Sequence, residues 1–206
     1  MTPTRMTREA RRHQTRERLL SAARATFLTK GCAATSVEDI AVAAGYTRGA
    51  FYANFRSKTE LLLELLGRDH AEVEAELQRI FEAGGTREAL ERTVLTYYRQ
   101  LYRERDSFLI WMEAKLQAAR DARFRVHFNA FMGKRQARMT ACIRAFSERT
   151  GASPPLPAEV LAIGLMGLCD GVQFCYAADP QRVTDELADA VLAGFFARTM
   201  FDRPSD

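Results

Sequence analysis

The sequence predicts an all-α protein, in which a small three-helix head carrying a helix-turn-helix precedes a larger helical domain, about nine helices in all. Apolar residues recur at helical rather than alternating spacing along almost every segment. No run of β-branched residues bounded by turn signals reads as a strand. Stop signals such as Gly31, Gly84-Gly85 and Asp179-Pro180 cut the chain into pieces of helix length.

The first helix is expected from about Arg11 to Thr29, because Leu19, Ala23 and Phe27 stand at i, i+4, i+8 and Lys30-Gly31 closes it with a cation and a C-cap glycine. Ser36 is an N-cap for a second helix, with Asp39 as acidic partner at its start; it runs about two turns to Gly45. Thr47 caps a third, and Tyr46 and Phe51 occupy the two positions of a hydrophobic staple. Ser57-Lys58-Thr59-Glu60 reads as a capping box opening a long fourth helix striped by Leu62, Leu66, Val73, Leu77 and Ile80. Further helices are expected over about 86–103, 107–119, 122–148 and 157–178, with a last one at 180–200 in which Asp179 is N-cap and Pro180 the first residue.

An apolar share of 47% over 206 residues suffices for a sizeable core without staples. The four cysteines form no CxxC pair and have no histidine at a zinc-like offset, so neither metal nor cofactor is expected and a reducing interior fits best. The arginine-rich start lacks the apolar core of a secretory signal, and no apolar run is read as reaching the roughly 20 residues of a membrane span. A soluble, cytoplasmic protein follows as the expectation.

The net charge of +4 conceals an asymmetry: residues 1–60 hold 11 Lys and Arg against 5 Asp and Glu, and the remainder 19 against 21. Positive charge gathered at one end suits contact with phosphates, or equally a solvated basic tail. Chemistry is harder to find. There is no HExxH, no GxSxG elbow and no glycine-rich phosphate loop, and His13, His70 and His127 are isolated, so no enzyme is expected.

Two short helices joined by Ala44-Gly45-Tyr46 make a helix-turn-helix, whose second helix belongs in the major groove. With Phe51 and Phe55 turned inward, Gly49, Tyr52, Ala53 and Arg56 face outward and Arg48 stands at the amino end, where base edges are reached. Arg48 suits a bidentate contact to guanine, or else a phosphate. Ser36, Thr47, Tyr52 and Lys58 lie where hydroxyls, an ammonium and free N–H groups grip phosphates, with capping a compatible second task for Ser36 and Thr47. Arg5, Arg8, Arg11 and Arg12 form a basic arm, suited to a minor groove or to general phosphate attraction.

These residues carry a resemblance. Residues 35–41 (TSVEDIA) with 44–62 (AGYTRGAFYANFRSKTELL) look like the signature of the TetR family of regulators, over roughly Gln14 to Leu66. The resemblance implies a helix-turn-helix domain at 1–56 and an effector-binding and dimerisation domain at 57–206. It further implies a homodimer on a palindromic double-stranded operator, most often a repressor, with Arg48, Gly49 and Tyr52 meeting DNA and Lys58 on a phosphate. Asn54 departs from the aromatic or histidine common there.

In the C-terminal half, Gly164, Gly167 and Gly171 with Leu168, and Leu187, Val191 and Phe195 on the last helix, suit a four-helix dimer interface or intramolecular packing. Tyr98, Phe108, Trp111, Met112, Phe128 and Phe131 are candidates for the wall of a pocket taking a small apolar or aromatic effector, or for ordinary core. The alternative function is a helical small-molecule-binding protein without specific affinity for DNA.

Overall fold

Thr7 turns its hydroxyl back onto the Ala10 N–H (3.1 Å), Glu9 meets the positive end of the helix, and α1 therefore runs over Arg8–Lys30. It begins three residues before the expected start, so Arg8, Arg11 and Arg12 are helical and exposed rather than part of an extended arm. Arg5 lies outside the residues that this computed structural model describes, which are 7–101, 103–151 and 153–199. Gly31 closes α1 at φ +81°.

Ser36 and Asp39 form a full capping box for α2 (Val37–Ala43), each side chain accepting from the other's backbone N–H. Gly45, at φ +74°, makes the turn, and Thr47 caps α3 (Arg48–Tyr52) through the Ala50 N–H. Only half of the next capping box forms. Ser57 accepts from the Glu60 N–H, but Glu60 reaches back to the N–H of Arg56 rather than of Ser57. Helix α4 then spans Lys58–Ala83.

The remaining helices are α5 (Arg87–Leu101), α6 (Arg105–Arg120), α7 (Ala122–Thr150), α8 (Ala158–Ala178) and α9 (Asp185–Thr199). No strand occurs among the described residues. The last helix starts later than the sequence suggests. Asp179 ends α8, and its carboxylate accepts from the Arg182 N–H in a turn, while Thr184 accepts from the Leu187 N–H as the true cap. Thr184-Asp185-Glu186 puts a hydroxyl cap and two acids at one helix start, which outweighs Asp179-Pro180.

One further expectation needs correcting. Helix α8 is long and apolar enough by length and composition to cross a membrane. Its Leu161, Ala162, Leu165 and Val172 nevertheless enter a protein core, the behaviour of a packing helix that is apolar on more than one face.

The chain divides into two compact units. Among the described residues, the first holds those up to 69 together with 109–128, the second those of 70–108 with 129–199. In the first, Leu19, Phe27, Ile40, Phe51, Phe55, Leu62 and Leu66 are buried almost completely, and Phe51 and Phe55 sit with ring centroids 5.7 Å apart. In the second, residues of α4, α5, α7, α8 and α9 close a core around Tyr98, Phe146, Leu161, Leu192 and Phe196.

Candidate nucleic-acid interface

Burying Phe51 and Phe55 decides which face of α3 meets water. Thr47, Arg48, Gly49, Tyr52, Ala53 and Arg56 are exposed together, and Tyr52 keeps 47% of its surface although it is large and partly apolar. The Arg48 guanidinium lies over the Tyr52 ring, 5.6 Å from its centroid, and the phenol oxygen as hydrogen-bond partner raises the arginine's pKa. Cation and aromatic ring are thus presented as one unit along the exposed face of a short helix, from its first residue to its last. A Cβ at Gly49 would meet only the Thr47 hydroxyl, at 3.7 Å, so the surface there is shallow and open.

Ser36 is exposed at the start of α2, its hydroxyl engaged with Asp39. Lys30 binds the same carboxylate at 2.8 Å, and these contacts hold the Asp39 carboxyl far below the usual carboxylate range. Arg11 and Arg12 stand exposed on the first turns of α1.

Lys58 is placed differently from the others. Its Nζ donates to the carbonyls of Cys32 (2.6 Å) and Thr35 (2.6 Å), and lies 3.5 Å from that of Ala33. Burial lowers its pKa against the pull of neighbouring acids. All of its nearest acceptors belong to the loop between α1 and α2.

Asn54 turns its amide back to the Ala50 carbonyl (2.9 Å), locking the end of α3. Several supporting side chains carry no local signal in the sequence. Arg16 donates to the Asn54 carbonyl, pairs with Glu64 and lies 4.1 Å over the Phe55 ring. Arg68 joins Glu17 at 2.6 Å and Glu64 at 3.0 Å, and Arg24 pairs with Asp69. These ion pairs tie α1 to the first turns of α4. Complementary charges on the two helices are the clue the sequence offers, and pairing across 45 to 51 residues needs the fold to be known.

The candidate effector residues fall in both units. Trp111, Met112 and Phe128 belong to the first, where the rings of Trp111 and Phe128 meet at 6.4 Å and Phe124 stacks on Phe128 at 5.8 Å. Tyr98, Phe108 and Phe131 belong to the second, where Tyr98 packs on Phe196 at 5.2 Å and Phe131 meets His70 edge-on at 6.5 Å. Of the candidate interface residues, Gly164, Gly167, Gly171, Leu187 and Val191 are exposed. Leu168 and Phe195 are half-buried against the core of the second unit.

Comparison with known proteins adds a family. Residues 19–65 match the model of bacterial regulatory proteins of the tetR family, and residues 86–200 match that of the BetI-type transcriptional repressor, C-terminal. Among curated relatives, the chain is 44% identical over 57 residues to the HTH-type transcriptional regulator TtgR of Pseudomonas putida, covering 28% of this chain and 27% of that one. It is 39% identical over 71 residues to AcrR of Shigella flexneri, covering 33% of each. The matched segments thus span only about a quarter to a third of those relatives.

Solved structures share the fold along nearly the whole chain. A TetR-family regulator from Rhodococcus sp. superposes with TM-score 0.75 at 20% identity, covering 91% of this chain and 99% of that one. A regulator from Saccharomonospora viridis in complex with choline gives 0.70 at 19%, covering 93% and 100%. The SmeT–triclosan complex gives 0.66 at 24%, covering 94% and 99%. With both halves matched by family models and the exposed face of α3 built as described, this chain belongs to the TetR/AcrR family of transcriptional regulators.

Proposed function

We propose that this regulator is a repressor that binds a palindromic operator as a homodimer and releases it when a small effector binds the C-terminal domain. The observation that carries the reading is the exposed row Thr47, Arg48, Gly49 and Tyr52 on a helix held from behind by Phe51 and Phe55. Arg48 reads a guanine, and the start of α2 at Ser36 and of α3 at Thr47 holds phosphates. Arg11 and Arg12 add charge attraction along the backbone.

Dimerisation fits the exposed side of α8, where Val160, Ile163 and Phe174 border Gly164, Gly167 and Gly171, beside Leu187 and Val191 of α9. A two-fold axis through that face makes a four-helix interface. Burying it in a second copy is also what reconciles the apolar outer face of α8 with a soluble, cytoplasmic protein and no membrane partner. Two recognition helices then need half-sites about 34–36 Å apart, so an effector that displaces α4 abolishes binding by altering that distance.

The neighbouring structures hold choline, triclosan and stearoyl-CoA, so the family architecture admits effectors of very different chemistry. For this chain the aromatic residues Tyr98, Phe108, Trp111, Phe128 and Phe131, with the apolar Met112, favour an apolar or aromatic one. Neither a cofactor nor catalysis forms part of the reading.

Selection of bound duplexes from a random pool tests it. A palindromic consensus is expected, bound more weakly as salt rises. Arg48→Ala is expected to lose about 1–3 kcal/mol of discrimination at one base pair of each half-site, read by anisotropy titration on matched and substituted duplexes. Uniform affinity for all duplexes would point instead to a ligand-binding protein without an operator.

A further inference from the structure

The loop between α1 and α2 delivers Ser36 to the candidate DNA surface, and its centre is a buried residue. Cys32 is 1% exposed, so both of its backbone polar groups need partners inside the protein. Helix ends supply neither of them. The Cys32 N–H donates to Oε2 of Glu113, a residue of α6 that lies 81 positions away in sequence and within the same compact unit. The Cys32 carbonyl accepts from Lys58 Nζ at 2.6 Å, and the same ammonium takes the Thr35 carbonyl at 2.6 Å. A carboxylate and an ammonium thus hold the two faces of one residue, each by a charge-assisted hydrogen bond.

The fit around the carboxylate is close. A Cβ added at Gly31 would lie 3.1 Å and 3.3 Å from the two Glu113 oxygens, in a backbone conformation of φ +81° that favours glycine in any case. Glu113 also sits against the Cys32 thiol and, with burial as the larger cause, holds its pKa up at about 12, so the thiol stays protonated and inert. Thr35 is buried beside it, its hydroxyl donating to the Gly31 carbonyl at 2.7 Å. The loop is therefore gripped from Gly31 to Thr35, and the next residue is Ser36.

On α6, Glu113 follows Trp111 and Met112 directly. The Trp111 ring meets Phe128, and Ile110 and Ala114 on either side are buried. Any rotation of α6 moves the Glu113 carboxylate, because side chain and helix turn together.

We infer that Glu113 is a positioning residue for operator binding: with Lys58 it clamps the α1–α2 loop, and through it Ser36 and the start of α2, in the DNA-binding arrangement. The inference rests on the regulator reading above. It also gives Lys58 work other than holding a phosphate, and makes α6 as well as α4 a handle on the DNA head.

The test uses the full-length chain with the duplex selected in the preceding experiment, and backbone amide hydrogen exchange without DNA. Glu113→Ala is expected to speed exchange at Cys32 to Ser36 at least tenfold and to weaken operator affinity about tenfold, with exchange in the α3 amides unchanged. Glu113→Gln keeps an acceptor for the Cys32 N–H and is expected to stay within about threefold of the parent in both readouts, a rescue that general destabilisation would not give. A Glu113→Ala, Lys58→Met double variant should lose less than the product of the two single losses, because both act on one residue.

Operator affinity within twofold of the parent for Glu113→Ala, or faster exchange spread evenly over the whole first unit, would overturn the clamp. Should the parent itself select no duplex, the regulator reading fails on its own. The exchange result then decides whether the loop is clamped at all, and the clamp's role in operator binding falls with the reading.

Discussion

At the residue scale, burial decides what each polar group can do. His70 is 7% exposed, with its Nε2 2.9 Å from the Glu74 carboxylate, whose other oxygen takes Arg138 at 2.6 Å. Phe131 meets the ring edge-on, and Arg135 contributes further positive charge. Burial first, then Arg135, lowers the His70 pKa from 6.5, with Glu74 pulling the other way. A histidine depressed in the folded state binds its proton more readily when unfolded, so stability is lost as the pH falls below about 6.5. His70→Gln is expected to flatten the decline in melting temperature between about pH 6.5 and 5, followed by circular dichroism; an unchanged slope would remove His70 as its source. In the sequence that histidine reads merely as isolated, because its acid lies one turn on along α4 and its arginines 65 and 68 residues away on α7.

At the scale of elements, caps and turns explain where helices begin, and they are largely legible. Ser36, Thr47 and Gly31 act as their types suggest. Gly45 has φ +74° and an added Cβ would meet nothing within 4 Å, so Gly45→Ala brings backbone strain and no clash. A loss of about 1–2 kcal/mol is expected, measured by chemical denaturation, with operator affinity falling further if α2 and α3 lose their mutual angle. Ser36→Ala removes the hydroxyl half of a complete capping box and is expected to cost about 1 kcal/mol in the same assay. Where cap signals mislead, two of them compete. Asp179-Pro180 and Thr184-Asp185-Glu186 both resemble helix starts, and the turn that Asp179 makes with Arg182 chooses between them.

At the scale of the whole molecule, the outer face of α8 is what remains unexplained by a single chain. Ile163 and Phe174 keep 59% and 57% of their surface, and a Cβ at Gly167 or Gly171 would meet nothing within 4 Å. Gly167→Leu is therefore expected to leave the fold of one chain intact while blocking close approach of a second. Sedimentation should show a shift from dimer to monomer, with a large loss of operator affinity and an unchanged far-ultraviolet spectrum; a variant that stays dimeric would place the interface elsewhere. The same stripe of glycines and apolar residues is visible in the sequence, where it suggests a dimer interface with packing within the chain as the alternative. Gly167 and Ile163 are exposed and so not packed within the chain, whereas Leu168 and Phe195 turn partly into the core of their own unit.

The amino-acid sequence alone determined the helical class, the helix-turn-helix and the outward row Thr47, Arg48, Gly49 and Tyr52, since all three follow from local propensity, capping chemistry and periodicity within a few turns. Tertiary structure alone decided that Lys58 serves the α1–α2 loop, that Glu113 reaches Cys32 from α6, and that Arg16 braces the end of α3. Contacts between residues dozens of positions apart depend on how helices pack, and packing is a property of the assembled chain rather than of any stretch within it.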